Sequence, residues 1–91
     1  MSPMSSYRVT QAIKFAATSH FGQVDKSGLP YIFHPIGVAR RVSLAGGSED
    51  AVIAAVLHDV VEDCGISLEK IAGMFGSNVA RIVGAVTRQK D

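Results

Sequence analysis

The residues of this 91-residue chain that could do chemistry cluster between His58 and Asp63. His58 and Glu62 stand four residues apart, as do Asp59 and Asp63, so each pair would share one face of a helix. The apolar run 51–57 comes directly before them and is typical of a buried helix. Ionisable groups at the end of a buried helix need partners, because burying them alone is costly. A divalent cation held by imidazole and carboxylate would meet that need, and such ligands suit manganese, iron or zinc better than calcium.

The same residues allow a plainer interpretation, in which the charged end of a helix simply faces water. His34 gives a second indication, because it precedes Pro35, a residue suited to the first turn of a helix, and could point toward His58. A lone histidine in such a place is more often a cap or a packing residue. Taken one at a time, these residues therefore leave both the metal site and the solvated helix end open.

Five helices joined by short turns are predicted to position these residues, and no strand is predicted. Their expected ranges are about 7–20, 35–44, 49–63 and 67–75, with a fifth helix after Gly76 and Ser77 that ends near Arg88. Ser48 and Ser67 are predicted N-caps, and Gly65 is a predicted helix end. Glycine and proline make residues 21–30 a predicted loop. The expected fold is a compact, all-α helical bundle.

Composition and charge narrow the function classes. A hydrophobic fraction of 47% with 19% charged residues is that of a globular protein, expected to form a single domain over residues 1–91. The formal charge of +1 lacks the positive excess needed for nucleic-acid binding, although a small phosphorylated ligand needs only a few cations. Cys64 is the only cysteine and is interpreted as a packing residue. A single cysteine cannot form an internal disulfide, so a reducing, cytoplasmic compartment is expected for the protein. No signal peptide or bilayer span is recognised, so no membrane partner is expected.

Several motifs follow one another in order along the chain. They are Gly22-Gln23, Lys26-Ser27-Gly28, Pro30-Tyr31-Ile32, His34-Pro35, Leu57 to Asp63, Phe75-Gly76 and Val86-Thr87. Through them the chain resembles, from about Tyr7 to Arg88, the RelA/SpoT-type guanosine polyphosphate hydrolases. The resemblance implies an all-helical HD-domain fold that uses one Mn²⁺ to remove pyrophosphate from the 3′ position of ppGpp or pppGpp.

The resemblance also implies roles for individual side chains. His34, His58 and Asp59 match three metal ligands of the family. Glu62 and Asp63 match the family's acidic pair, which orients or activates the attacking water. These roles agree with general chemistry, since a cation lowers the pKa of bound water and a nearby carboxylate can take its proton. Fe²⁺ or Zn²⁺ would serve such a ligand set as well as Mn²⁺.

The loop between the first two helices both follows the family and departs from it. Lys26 and Ser27 match the loop that helps to hold the nucleotide, although Lys26 could equally be an exposed surface lysine. Asp25 stands where the classical members carry an arginine that stacks on guanine, and a carboxylate loses that contact and repels phosphate. Small HD proteins of the family also show an acidic residue there, so guanine specificity is left open. His20, at the end of the first helix, is not assigned as a ligand.

A fourth metal ligand of the family, an aspartate on a later helix, has no expected counterpart, because Asp91 lies too close to the preceding motif. Three protein ligands can still hold a metal ion. Without the family's later helices an apolar patch would be exposed, which predicts a homo-oligomer whose partner covers it. Two alternatives to the hydrolase stay open: a binding or regulatory module that no longer turns over substrate, and an oligomerising fragment with an empty metal site.

Overall fold

Serine caps and glycine stops set most helix bounds in the computed structural model, which describes residues 3–87. After a short 3₁₀ helix at Pro3–Ser5 come five α-helices: α1 Tyr7–Ser19, α2 Phe33–Leu44, α3 Glu49–Cys64, α4 Leu68–Phe75 and α5 Ser77–Val86. Ser48 and Ser67 accept hydrogen bonds from backbone N–H groups three residues on, as predicted for N-caps. Gly65 ends α3 in the left-handed conformation, with φ of 70°. The prediction of an all-α bundle of five helices is confirmed.

Several predicted bounds were wrong by one or two residues. Helix α2 begins at Phe33 rather than Pro35, and Ile32 before it has helical dihedral angles and no capping side-chain hydrogen bond. Pro35 therefore lies within the first turn, where its missing N–H needs no partner. Helix α1 ends at Ser19, one residue earlier than expected, and α3 runs one residue further, to Cys64. The predicted end of the fifth helix at Arg88 lies outside the described residues.

Helix α3 forms the centre of the bundle and packs against α1, α2 and α5, while α4 packs against α5. The buried apolar core consists of Val9, Ala12, Ala16, Ala39, Val52, Ile53, Ala54, Val56, Leu57, Val60, Ile71, Phe75, Val79, Ala80 and Val83. The radius of gyration of 12.3 Å matches the roughly 12 Å expected for a compact domain of this length. No helix within residues 3–87 has the length and apolar character needed to cross a bilayer.

One side of α3 is less buried than its sequence predicts. Ala51 and Ala55 are only half-buried, because they face an open groove of about 390 Å³ between α2, α3 and α5. The groove is lined by Val38, Val42, Ala51, Ala54, Ala55, His58, Ile82 and Val86. The expectation that the apolar run 51–57 belongs to a buried helix is therefore wrong on this face. The groove ends at His58, so the apolar surface and the candidate site adjoin.

Arg8 fixes α1 to the beginning of α3. Its Nη1 donates to Glu49 Oε1 at 2.5 Å and to Asp50 Oδ1 at 2.7 Å, and its Nη2 donates to the carbonyl oxygen of Phe75 at 2.7 Å. Hydrogen bonds from Asn78 and from Arg8 lower the pKa of Asp50, and the bond from Arg8 lowers that of Glu49. The acidic first turn of α3 is thereby paired with a cation as well as with the helix dipole.

Candidate active site

Asp59 lies at the centre of the candidate site, near the carboxyl end of α3. The helical period that buries Val56 and Val60 turns Asp59 toward the loop before α2, and its side chain is only 10% exposed. A buried carboxylate is costly unless it accepts hydrogen bonds. The hydroxyl of Tyr31 donates one to Asp59 Oδ2 at 2.9 Å, and Nε2 of His58 lies 3.0 Å from Asp59 Oδ1.

The two histidines of the predicted metal site both approach Asp59. Nδ1 of His58 lies 2.9 Å from the carbonyl oxygen of Ala55, which can only accept, so Nδ1 carries the proton of that hydrogen bond. Nε2 of His58 is therefore free to present a lone pair toward Asp59. Nε2 of His34 lies 3.7 Å from Asp59 Oδ2. The fold thus brings His34, His58 and Asp59 together from α2 and α3.

The donor set fits a divalent metal ion in type, and the His58–Asp59 pair also fits one in spacing. A lone pair of a neutral imidazole facing a carboxylate is unfavourable unless a proton or a cation lies between them, and a metal ion resolves that conflict. Two donor atoms that share one metal at about 2.1 Å, at right angles, lie about 3.0 Å apart. The His58–Asp59 separation equals that distance, and the His34–Asp59 separation is 0.7 Å longer (3.7 against 3.0 Å). The arrangement is open, since no three such side chains within residues 3–87 form a group that could hold a metal ion as they stand.

Tyr31 is a site residue to which the sequence analysis assigned no role. Besides its hydrogen bond to Asp59, its ring lies between the rings of His20 and His34, with centroid distances of 4.9 and 5.5 Å. Burial and then the hydrogen bond to Asp59 raise the pKa of Tyr31 to about 12, so the hydroxyl stays a donor at neutral pH. The only sequence signal was its place in the Pro30-Tyr31-Ile32 motif, three residues before His34.

Glu62 and Asp63 continue the acidic end of α3 one turn beyond the histidine. Glu62 is half-buried and Asp63 is exposed. No lysine or arginine of the described residues lies within 4.0 Å of either carboxylate, in contrast to Glu49 and Asp50. After burial and the contact with Asp59, the negative charges of Asp63 and Glu62 also raise the pKa of Tyr31, which sets both within electrostatic reach of the site.

The loop before α2 places Lys26 and Ser27 at the surface and does not bring their side chains to the histidines. Within the described chain, neither side chain forms an ion pair or hydrogen bond with His34, His58 or Asp59. Asp25 organises this loop, since its Oδ1 accepts hydrogen bonds from the backbone N–H of Ser27 at 2.8 Å and of Leu29 at 3.1 Å. Its carboxylate is therefore engaged by the loop itself, a structural role that the sequence comparison with arginine did not suggest.

His20 and Cys64 form a second polar contact behind Tyr31. His20 is 2% exposed, and its Nδ1 lies 2.6 Å from Gln23 Oε1 and 3.5 Å from Cys64 Sγ. Nε2 of His20 is buried without a hydrogen-bond partner among the described residues. Burial raises the pKa of the Cys64 thiol, which agrees with the prediction of a packing residue.

Comparisons with known proteins agree with the motifs. Residues 12–91 match the family model described as HD domain. The chain is 44% identical over 94 residues to the guanosine-3′,5′-bis(diphosphate) 3′-pyrophosphohydrolase MESH1 of Danio rerio, covering 99% of this chain and 52% of that protein. It is 38% identical over 86 residues to the guanosine-3′,5′-bis(diphosphate) 3′-pyrophosphohydrolase of Aquifex aeolicus, covering 94% of this chain and 12% of that protein.

A solved structure shows the same fold. It is described as a metazoan ortholog of SpoT that hydrolyzes ppGpp, and it superposes with a TM-score of 0.84 at 34% identity, covering 92% of this chain and 49% of that one. These likenesses confirm the resemblance predicted from the ordered motifs. The chain spans about half the length of the MESH1-type relatives that it matches.

Proposed function

Because the chain belongs to the HD-domain family, we propose that it acts as a metal-dependent phosphohydrolase that removes the 3′-pyrophosphate from ppGpp, pppGpp or a related phosphorylated nucleotide. The observation that carries this proposal is the convergence of two imidazoles, His34 and His58, on one buried carboxylate, Asp59. The proteins of similar sequence are named for this hydrolysis, which supports the choice of substrate class.

His34, His58 and Asp59 would hold the metal ion, with Mn²⁺ as the proposed ion and Fe²⁺ or Zn²⁺ as substitutes suited to the same donors. When bound, such an ion lowers the pKa of water and polarises a phosphoryl oxygen. Glu62 and Asp63 are proposed to orient the attacking water and to accept its proton, since both carboxylates lack a neutralising cation among the described residues.

Lys26 and Ser27 are the proposed nucleotide contacts. Their exposure and the fixed backbone of their loop support this role, because a cation on an ordered loop can meet phosphate charge without first paying the full entropy of ordering. Asp25 leaves guanine without the stacking arginine of the classical members, so a related nucleotide is included in the proposal.

A second candidate function is a binding or regulatory module that keeps the scaffold and has lost turnover. Asp25 motivates it, because this carboxylate stands in place of the stacking arginine and is engaged by the backbone of its own loop. The two functions predict different results with one preparation. A hydrolase releases pyrophosphate from ppGpp, whereas a regulatory module binds ppGpp and releases nothing.

We also propose that the chain forms a homo-oligomer through the apolar groove that ends at His58. The groove supports this proposal because an open surface lined by Val42, Ile82 and Val86 is costly to leave in water. Sedimentation at increasing concentration tests it, and a Val86→Lys variant that stays monomeric would support it. A wild type that is monomeric throughout would contradict it.

The proposed cytoplasmic location rests on the lone cysteine.

The decisive experiment measures metal content and pyrophosphate release with ppGpp and Mn²⁺ for wild type and for His58→Ala. Metal-dependent release that His58→Ala abolishes is the expected result. For the loop, Lys26→Ala should raise KM by about tenfold through a lost charged contact, while Lys14→Ala, an exposed lysine on α1, should change nothing. Tight binding of ppGpp without release would favour the regulatory module. Protein that contains no metal and self-associates equally with and without chelator would favour the third alternative, an oligomerising fragment with an empty metal site.

A further inference from the structure

Tyr31 contacts three helices of the bundle, through His20 at the end of α1, His34 on α2 and Asp59 on α3. Its hydroxyl donates to Asp59 Oδ2 at 2.9 Å, and its ring packs against His34, with 5.5 Å between centroids and 43° between ring planes. Its backbone carbonyl oxygen accepts a hydrogen bond from the N–H of His34 at 2.9 Å. One residue therefore touches two of the three proposed metal ligands, one through its hydroxyl and the other through its ring and backbone.

The other side of Tyr31 contacts the backbone of the preceding loop and a buried histidine. Its backbone N–H donates to the carbonyl oxygen of Gln23 at 2.8 Å, and its ring packs on His20, with centroids 4.9 Å apart. His20 is 2% exposed and is held by its own N–H, which donates to the Ala16 carbonyl oxygen at 2.9 Å, and by Gln23. Tyr31 is thus anchored to the end of α1 on the side away from the ligands.

The position of Tyr31 has a direct consequence for Asp59. A carboxylate on a short side chain can rotate its oxygens, and only a specific hydrogen bond selects one orientation. The Tyr31 hydroxyl donates to Oδ2, while Nε2 of His58 faces Oδ1 at 3.0 Å, so the hydroxyl is the donor that selects the orientation of the carboxylate. Without the hydroxyl, Oδ2 would keep only His34 at 3.7 Å, too long for a hydrogen bond.

We propose that Tyr31 is a positioning residue that orients the Asp59 carboxylate and the His34 ring toward one another, so that α1, through His20, sets the geometry of the metal-binding face. This inference rests on the metal site of the proposed function. It differs from a role in packing alone, because a packing residue would act through its ring and would not need its hydroxyl. Side chains that hydrogen-bond to a metal ligand in this way change metal affinity by about 10- to 100-fold.

The test compares Tyr31→Phe with wild type by titrating Mn²⁺ against the metal-free proteins and following free Mn²⁺ by electron paramagnetic resonance. Tyr31→Phe should bind Mn²⁺ about 10- to 100-fold more weakly, with helical circular dichroism unchanged. Tyr7→Phe is the matched control, because Tyr7 is 77% exposed on α1, and it should bind like wild type. Equal affinity in Tyr31→Phe and wild type would overturn the inference alone. A wild type that binds no Mn²⁺ would overturn the metal site and the inference together.

A second measurement needs neither metal nor a folded variant. In the metal-free wild type, the hydroxyl proton of Tyr31 should exchange slowly enough to be seen by nuclear magnetic resonance, because it is donated to Asp59, whose side chain is only 10% exposed. A Tyr31 hydroxyl proton that exchanges as fast as that of Tyr7 would overturn the inference even if Tyr31→Phe failed to fold.

Discussion

The two ends of α3 both carry an acidic pair, and the structure treats the pairs in opposite ways. At the beginning, Glu49 and Asp50 lie where the helix dipole favours negative charge, and Arg8 forms an ion pair with both. At the end, Glu62 and Asp63 lie where the dipole disfavours negative charge. There the described chain supplies no lysine or arginine within 4.0 Å, although buried Asp59 adds a third carboxylate nearby.

This difference distinguishes an end of α3 that serves the fold from an end that is a candidate functional site. The first end is electrostatically complete, since its carboxylates have lowered pKa values and their cation also satisfies the Phe75 carbonyl oxygen. At the second end, no lysine or arginine among the described residues pairs with the carboxylates. Local interactions that oppose stability are expected mainly where function needs them. The uncompensated end of α3 is therefore the better candidate for binding a cation.

The largest effect should come from exchanging one carboxylate for an amide at each end. Asp59→Asn removes a proposed metal ligand and should reduce hydrolysis by more than about 10⁴-fold, since without the metal ion Glu62 and Asp63 have no activated water to deprotonate. Asp50→Asn weakens the pairing with Arg8 and should lower the melting temperature while leaving turnover unchanged. Turnover assays and thermal melts of both variants test this. Equal loss of activity in both variants would contradict the conclusion that only the carboxyl end of α3 takes part in hydrolysis.

A second prediction concerns the charges at the end of α3. Asp63→Asn should lower turnover by about 100-fold if Asp63 acts on the water. The same change should stabilise the metal-free protein by about 0.5 kcal/mol, because it removes an unfavourable charge at a helix carboxyl terminus. Glu69→Gln is the control of opposite sign, since Glu69 lies in the first turn of α4, where its charge is favourable. Chemical denaturation in low salt measures both, and destabilisation by Asp63→Asn would contradict the interpretation.

The sequence predicted the fold best where local signals mark the end of a helix. Helix bounds followed from local signals wherever a serine or glycine marked them, as at Ser48 and Gly65. The beginning of α2 was missed because Ile32 offers no capping side chain, and the turn is set instead by the loop before it. Local sequence carries propensity and capping, and it does not carry the path of a loop.

Long-range contacts account for the rest. The ordered motifs indicated His34, His58 and Asp59 as one set of residues, and the fold places both imidazoles beside Asp59. The pairing of Arg8 with residues 41 and 42 positions away depends on how α1 crosses α3, which no local pattern encodes. The hydrogen bond from Tyr31 likewise spans 28 positions and became visible only once the loop was placed.

A smaller effect is expected at the paired end of α3. Arg8→Ala should destabilise the protein by about 1 kcal/mol, because part-exposed ion pairs contribute modestly while the Phe75 carbonyl oxygen loses its donor. Arg40→Ala, an exposed arginine on α2, is the matched control and should change stability by less than about 0.5 kcal/mol. Denaturant unfolding of the two variants checks this. Metal binding should be unchanged in both variants. Arg8 contacts the end of α3 opposite the candidate site, and Arg40 is an exposed residue of α2.

The smallest effect is the dependence of this pairing on pH. Arg8 holds the pKa of Glu49 below its usual 4.5, and Asn78 and then Arg8 hold that of Asp50 below its usual 3.8. A carboxylate with a lowered pKa in the folded state stabilises the protein fully above its unfolded pKa and loses that contribution as the pH falls through the folded value. The difference in melting temperature between wild type and Arg8→Ala should therefore be constant from pH 7 to about pH 5 and shrink below about pH 4.5. A difference that persists unchanged to pH 2 would mean that Arg8 stabilises the bundle through Phe75 and packing alone.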